Sequence, residues 1–542
     1  MDRRSFLRHV LCATAGTTGA LLARRGRGQS RNPGGDKTPK EKPNIVLIMA
    51  DDMGFSDIGC YGGEVMTPNI DRLAANGLRF TQFYNAARCC PTRASLLTGL
   101  YPHQAGIGHM TGNLGKPAYQ GYLNDHCVTL AEALKRGGYT TLISGKWHVG
   151  GQQACWPVHR GFDDSYALIG GASSYWKPRL IARNDQRWKL QEDEMFEGKE
   201  YYITDAFTDY AVKFIDEHGK KEKPFFLYLS YTAPHFPLHA RAEDMAKYKG
   251  RYDEGWDKLR LKRHERMKQM GIVKETWPLS PLNEKVTPWE KVDAKKKKDM
   301  LLRMEIYAAM IDRMDQGIGR VVDKLEEIDA LDNTLVLFLS DNGGNWEGGP
   351  WGWDWGEGKP GRSSNFWCTY GMSWGNLSNT PFRLYKHWAH EGGIATPLIA
   401  HWPRLLKQKG QLTDQVGHII DLMATFCDVA GVDYPEEHNG KPITPLEGKS
   451  LLPVLRGERR EPHKTIGWEH VGNKAVRAGK WKLVSRHKDE WELYDLEADR
   501  TELNDLAAKQ PDKVAELKTA YQDWADRCGV LPWPVKKPKK KK

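Results

Sequence analysis

The chain of 542 residues contains no apolar run long enough to span a bilayer and no internal repeat, so neither a helical membrane protein nor a solenoid is expected. Its nine cysteines (Cys12, Cys60, Cys89, Cys90, Cys127, Cys155, Cys368, Cys427 and Cys528) include no C-x-x-C pair and no Cys/His spacing of a zinc site. They form no tight disulfide framework; the odd count leaves one thiol over, and no pairing can be assigned. The net charge of +11 gives no sign of a nucleic-acid partner. Six positive charges are carried by residues 1–33 and six by residues 536–542, so the body between them is close to neutral. Present instead are 40% apolar residues, an unusual 20 Trp, and enough length for one large domain or a large and a small one.

The two ends read as appendages. Arg3-Arg4-Ser5-Phe6-Leu7 is a twin-arginine pattern, followed by a modest apolar stretch from Val10 to Ala23. Residues 1–33 are therefore expected to be an export leader and 34–42 a linker, placing the mature protein in the periplasm or outside the cell. That route carries folded proteins, so a buried cysteine would have to be modified before export. The tail 536–542 reads as a solvated lysine-rich end.

Between these ends, short apolar runs finish in polar residues. Asn44 to Ala50 leads into Asp51-Asp52, Tyr139 to Ser144 into Gly145-Lys146-Trp147-His148, Phe225 to Ser230 into Pro234-His235, and Thr334 to Ser340 into Asp341-Asn342. Helical patterns such as Thr129–Arg136 and Met304–Ile328 lie between them. Such runs predict an α/β fold with a large, mostly parallel sheet flanked by helices over residues 43–455. Open sheets of this kind bind ligands beyond the carboxyl ends of their strands, where these polar residues would converge. Residues 241–298 read as a charged, helix-prone insertion or lid, and 343–380 as a long Gly/Trp loop. Residues 456–535 read as a small α+β subdomain with an antiparallel sheet and a helix near Asp512–Arg527.

The most specific element is Cys89-Cys90-Pro91-Thr92-Arg93-Ala94-Ser95-Leu96-Leu97-Thr98-Gly99. Pro91 suits a helix's first turn and Gly99 its end, which sets Cys89 at a helix N-terminus, where an anion is favoured. Here the chain resembles the formylglycine-dependent sulfatases of the alkaline phosphatase superfamily, whose mark is C-x-P-[ST]-R followed by A-S-L-L-T-G. Related patterns recur from Asn44 to about Leu506. The resemblance implies that a formylglycine-generating maturase oxidises Cys89 to 3-oxoalanine, Cys90 filling the variable slot. It further implies that the hydrated aldehyde attacks sulfur, forms a covalent sulfate adduct, and expels sulfate as the carbonyl re-forms.

The same resemblance places one divalent cation, calcium more commonly than magnesium, at Asp51, Asp52, Asp341 and Asn342, with residue 89 counted among its ligands; an all-oxygen set of side chains suits a hard ion. It assigns Arg93 and His148 to holding the diol, Lys146 and Lys386 to binding sulfate, and His235 to the leaving oxygen. One departure stands out. Many relatives follow Glu-Gly-Gly with a segment containing Arg, whereas here Glu391-Gly392-Gly393 is followed by Ile394-Ala395-Thr396-Pro397. His387 and His390 are additional residues near that edge, structural or substrate-lining. The tryptophans of the loop (Trp346, Trp351, Trp353, Trp355, Trp367 and Trp374, with Trp388 beyond) suit either ring stacking or loop packing, and Trp468-Glu469-His470 is placed to reach the pocket rim.

The expected activity is hydrolysis of a sulfate monoester on a small molecule or a glycan. A phosphonate or phosphate ester hydrolase of the same superfamily is the alternative, although two-zinc phosphatases need further Asp/His ligands and a Ser or Thr nucleophile. A sulfated-glycan-binding protein on a decayed scaffold is the non-enzymatic alternative, opposed by the intact set of matched positions.

Overall fold

The structure is a computed structural model and describes residues 42–536; the expected leader, nearly all of the linker and residues 537–542 lie outside the described part. The expected α/β architecture is what it shows. An 11-stranded sheet runs in the order Gln411–Thr413, Leu78–Tyr84, Ala395–His401, Thr334–Ser340, Asn44–Ala50, Phe225–Ser230, Thr140–Lys146, Asp164–Leu168, Ile181–Arg183, Gln186–Arg187, with Gly417–His418 also paired to Leu78–Tyr84. The five strands from Thr334–Ser340 to Asp164–Leu168 are mutually parallel.

These central strands are buried on both faces, which is why they read as continuous apolar runs. Successive side chains of Asn44–Ala50 alternate between two cores: Val46, Ile48 and Ala50 join one, and Ile45, Leu47 and Met49 the other. The first core carries the 34-residue helix Ala294–Glu327 and the helix Ile203–His218; the second carries Cys89–Thr98, Leu130–Arg136 and Asp421–Ala430.

The long helix starts ten residues before the predicted Met304. Asp293 caps it by accepting from the Lys296 backbone N–H at 3.0 Å, and the following lysines lie on its first turn. Strand Ala395–His401 runs antiparallel to both neighbours, an inversion that the sequence pattern did not reveal. Residues 241–298 are an anchored layer rather than a lid: Trp256, Trp277 and Trp289 are buried, and Arg263 pairs with Asp57 at 3.0 Å and Glu64 at 2.6 Å. The C-terminal region forms a four-stranded antiparallel sheet, Ile466–His470, Asn473–Ala478, Trp481–Ser485 and Glu492–Asp495, followed by the helix Pro511–Cys528. No helix among the described residues is long and apolar enough to cross a membrane. All eight described cysteines are free thiols.

Candidate active site

Cys89 is the first residue of a ten-residue helix, Cys89–Thr98, and the whole helix is buried. Gly99 ends it in the left-handed region at φ 70°. Its N-cap, Arg88, makes no side-chain cap, and no acidic residue sits in the first turn, so the positive end of the helix is left for another anion. Thr92 accepts from the Ala86 N–H at 2.9 Å and fixes the loop that delivers Cys89. A hydrogen bond from Cys90 holds the Cys89 thiol well below the usual thiol range; burial opposes this, and Lys146 and His148 reinforce it.

The carboxyl ends of four parallel strands bring most of the remaining predicted residues together, while Arg93 comes from the helix and Lys386 from the loop between helices Gly371–Ser378 and Glu391–Ile394. Asp51 and Asp52 follow Asn44–Ala50, Asp341 and Asn342 follow Thr334–Ser340, Lys146 ends Thr140–Lys146 with His148 just beyond, and His235 follows Phe225–Ser230. All are buried, with Asp51, Arg93, Lys146, Asp341, Asn342 and Lys386 at 0% exposure. Asp52 and His148 hold positive φ, 63° and 55°, an uncommon conformation for non-glycine residues that concentrates at functional sites.

Arg93 reaches back from the helix to this edge. It donates to Asp341 Oδ2 from Nε at 3.1 Å and from Nη2 at 2.7 Å, to the Lys146 carbonyl at 3.2 Å, and to Ser230 Oγ. Lys146 donates to Asp51 Oδ2 at 2.5 Å and Lys386 to Asp52 Oδ2 at 2.6 Å. Asn342 donates to Asp52 Oδ1 at 2.7 Å, and His235 Nε2 lies 3.6 Å from Asp52 Oδ2. Burial and the neighbouring Asp51 push Asp341 up to about 7 against Arg93 and Lys146. Burial opposes the charge on Asp52, but Lys386 and His235 outweigh it and hold Asp52 down at about 2. Burial lowers His235 to about 4, and its Nδ1 lies 2.6 Å from the Phe236 carbonyl.

The donor set fits a hard divalent cation. Asp51 Oδ1 and Asn342 Oδ1 are buried acceptors that receive no hydrogen bond among the described residues. Ligand atoms of Asp51, Asp52 and His235 lie within 4.8 Å of one another. The Cys89 sulfur belongs to the same neighbourhood: its charge bears on Asp51, Asp341, Lys386 and His148.

Two polar neighbours were missed by sequence reasoning. Asn345 donates to Asp52 Oδ2 at 3.1 Å, and Glu347 pairs with Lys386 at 3.2 Å and with Arg88 at 3.2 Å. Asn345 lies three residues beyond Asn342, so that spacing was the available signal; Glu347, inside the Trp loop, offered none. Of the two additional histidines, His390 Nε2 sits 3.1 Å from Glu492 and ties the loop to the C-terminal sheet. His387 is at the rim, accepting from Trp346 Nε1 at 3.3 Å. The tryptophans divide: Trp374 is buried and donates to the Met300 carbonyl at 2.7 Å, whereas Trp355 is 61% exposed. Trp468 donates to the Asn85 carbonyl, Glu469 pairs with His103 at 2.9 Å, and His470 stacks on His109 with ring centroids 5.7 Å apart.

The family model described as Sulfatase matches residues 43–432, and that described as N-sulphoglucosamine sulphohydrolase, C-terminal, matches residues 382–524. An uncharacterized sulfatase of Schizosaccharomyces pombe is 35% identical over 82% of this chain and 85% of its own. An arylsulfatase of Klebsiella aerogenes is 34% identical over 79% of this chain and 95% of its own. Among solved structures, Ps i-CgsB in complex with k-i-k-neocarrahexaose is 26% identical, with a TM-score of 0.66 over 91% of this chain and 94% of that one.

Proposed function

The chain belongs to the sulfatase family and is a sulfate ester hydrolase, and from that premise we propose that its nucleophile is formylglycine made from Cys89. One observation supports this above the others: the sulfur of residue 89 sits at an uncompensated helix N-terminus, among Lys146, His148 and the oxygen-lined cluster. One hydroxyl of the hydrated aldehyde would attack sulfur as the S–O bond to the alcohol breaks; the second would then lose its proton and re-form the carbonyl, breaking the C–O bond to sulfate and releasing it. Asp51, Asp52, Asp341 and Asn342 would hold one divalent cation, calcium before magnesium, which would supply Lewis-acid polarisation at the sulfate.

The chain's own groups do the rest. Arg93, fixed by Asp341, and His148 orient residue 89. Lys146 and Lys386 exchange part of their contact with Asp51 and Asp52 for the sulfate oxygens, so the anion enters a site already lined by cations. His235 serves the leaving oxygen through Nε2, its other nitrogen being engaged by the Phe236 carbonyl. The buried walls exclude bulk water and strengthen each of these charge contacts.

The substrate is a sulfate monoester on a small molecule or a sulfated sugar, a reading supported by relatives named arylsulfatase and N-acetylgalactosamine-6-sulfatase. The Arg3-Arg4 pattern supports export to the periplasm or beyond, after maturation of Cys89 inside the cell. Peptide mass spectrometry across residues 89–93 tests the modification; an unmodified cysteine in fully active protein overturns it. Parallel assays on an aryl sulfate and an aryl phosphonate should favour the sulfate.

A further inference from the structure

Beside the oxygen-lined cluster lies a second donor set of opposite chemical character. Cys89 Sγ, Cys90 Sγ and a ring nitrogen of His148 lie within 4.8 Å of one another, and all three residues are buried. Tetrahedral binding at Zn–S lengths of about 2.3 Å places donor atoms about 3.8 Å apart, within reach of that spread. Two further observations point to a ligand. His148 Nδ1 is fully buried and has no hydrogen-bond partner among the described residues. The Cys90 sulfur faces Met110 Sδ at 3.4 Å, which adds a thioether to the set.

We propose that, while residue 89 is a thiol, Cys89, Cys90 and His148 form a site for one thiophilic ion of the Zn2+, Cd2+ or Cu+ class, with Met110 at its edge. Two thiols, an imidazole and a thioether are soft donors that select such ions over Ca2+ and Mg2+, whereas Asp51, Asp52, Asp341 and Asn342 select the reverse. Charge permits both sites: two thiolates neutralise a divalent ion, and the nearby Arg93 and Lys146 are already paired with Asp341 and Asp51. No Cys/His metal spacing is readable along the chain because the two cysteines open a helix while His148 follows the strand Thr140–Lys146.

Binding at this site belongs to the thiol form and does not depend on the function proposed above. One consequence does rest on that reading: an ion on Cys89 occupies the sulfur that conversion to the aldehyde must use, so metal loading and maturation exclude one another.

The test uses the full-length protein produced without a formylglycine-generating enzyme, its residue 89 verified as cysteine by mass. Stripped of metal, saturated with Ca2+ and titrated with Cd2+, it should bind one cadmium per chain and develop the ultraviolet thiolate-to-cadmium charge-transfer band. Cys89→Ala and Cys90→Ser should each weaken that binding by about tenfold or more and reduce the band, and His148→Ala should weaken binding while the band persists. Circular dichroism and thermal melts confirm that each variant is folded; Cys89→Ala, at a helix position that favours alanine, keeps the test available if Cys90→Ser is not. Cadmium bound without the band, or a band unchanged in folded Cys89→Ala protein, overturns the site. Aldehyde-bearing protein should lose both band and affinity, and their retention also overturns it. If residue 89 is never converted in the presence of the maturase, the reading of function fails while the cadmium result stands.

Discussion

Arg500 donates from Nε to Glu391 Oε2 at 2.9 Å, with both side chains wholly buried. Glu391 opens the Glu-Gly-Gly segment that precedes strand Ala395–His401, and its other oxygen accepts from Lys482 at 2.9 Å. Tyr84 donates to Oε2 at 3.0 Å. The carboxylate is thus held by two cations from the C-terminal region, in a chain where the segment directly after Gly393, Ile394 to Pro397, supplies no arginine. Lys482 also pairs with Glu502 at 2.8 Å, and Glu502 accepts from the Glu391 N–H at 2.9 Å. This network joins the C-terminal sheet to the loop that presents Lys386, so the small region supports the site's geometry.

Burial opposes the charge on Glu391, but Lys482 and Arg500 outweigh it and hold its pKa down at about 2. A carboxyl depressed in the folded state contributes stability above its unfolded value of about 4.5, and that contribution is lost as pH falls toward 2. Glu391→Gln should therefore cost about 3–5 kcal/mol at neutral pH, since it leaves Lys482 and Arg500 short of a buried counter-charge. It should also flatten the decline in stability between about pH 4.5 and pH 2. Denaturant unfolding over that range checks both expectations, and a variant with the parent's acid limb contradicts them.

What the sequence displayed depended on how local the cause was. The central strands were legible because burial on both faces writes an unbroken apolar run, and each run led into a residue at the sheet edge: Asp51, Lys146, His235 and Asp341. The helix at Cys89 was legible from Pro91 and Gly99, local signals of entry and exit. Pairings across the chain had no such trace. Nothing near Glu391 indicates Lys482 or Arg500, and nothing near Cys90 indicates His148. The antiparallel course of Ala395–His401 is set by its partners, since a buried strand reads alike in either direction. The four lysines at 295–298 disguised the start of a helix whose cap, Asp293, lies just before them.

Replacing Cys89, the residue proposed to become the nucleophile, separates chemistry from architecture. Cys89→Ala should lower turnover of an aryl sulfate by about 10⁴-fold or more, the scale of losing a nucleophile. Alanine is the best helix former and keeps the first turn, so near-ultraviolet circular dichroism should match the parent. Turnover close to that of the parent in this variant contradicts the assignment of residue 89.

Cation binding should be visible without any assay of activity. An ion that binds the folded chain stabilises it by about 2.7 kcal/mol at a hundred times its Kd. Chelator-treated protein should thus melt at a lower temperature than the same protein with Ca2+ restored. Asn342→Ala should shrink that increment, because the side chain whose Oδ1 is a buried acceptor without a donor among the described residues is gone. Calorimetric titration with Ca2+ gives the stoichiometry, expected to be one. A parent protein indifferent to both chelator and Ca2+ contradicts the hard-ion site.

The role of His235 is checked by varying the alcohol that leaves. Burial holds the imidazole at about 4 in the absence of substrate, so it is neutral at pH 7, with Nδ1–H directed to the Phe236 carbonyl and Nε2 toward Asp52. An arriving sulfate anion favours the protonated ring, which then offers a proton to the bridging oxygen. An alcohol of high pKa needs that proton, and a nitrophenol, stable as its anion, scarcely needs it. His235→Ala should accordingly lower kcat/KM by about 10²- to 10⁴-fold for alkyl sulfates and far less for nitrophenyl sulfate. Plotted against leaving-group pKa, the variant's rates should fall more steeply than the parent's; parallel slopes would assign His235 to binding instead of proton transfer.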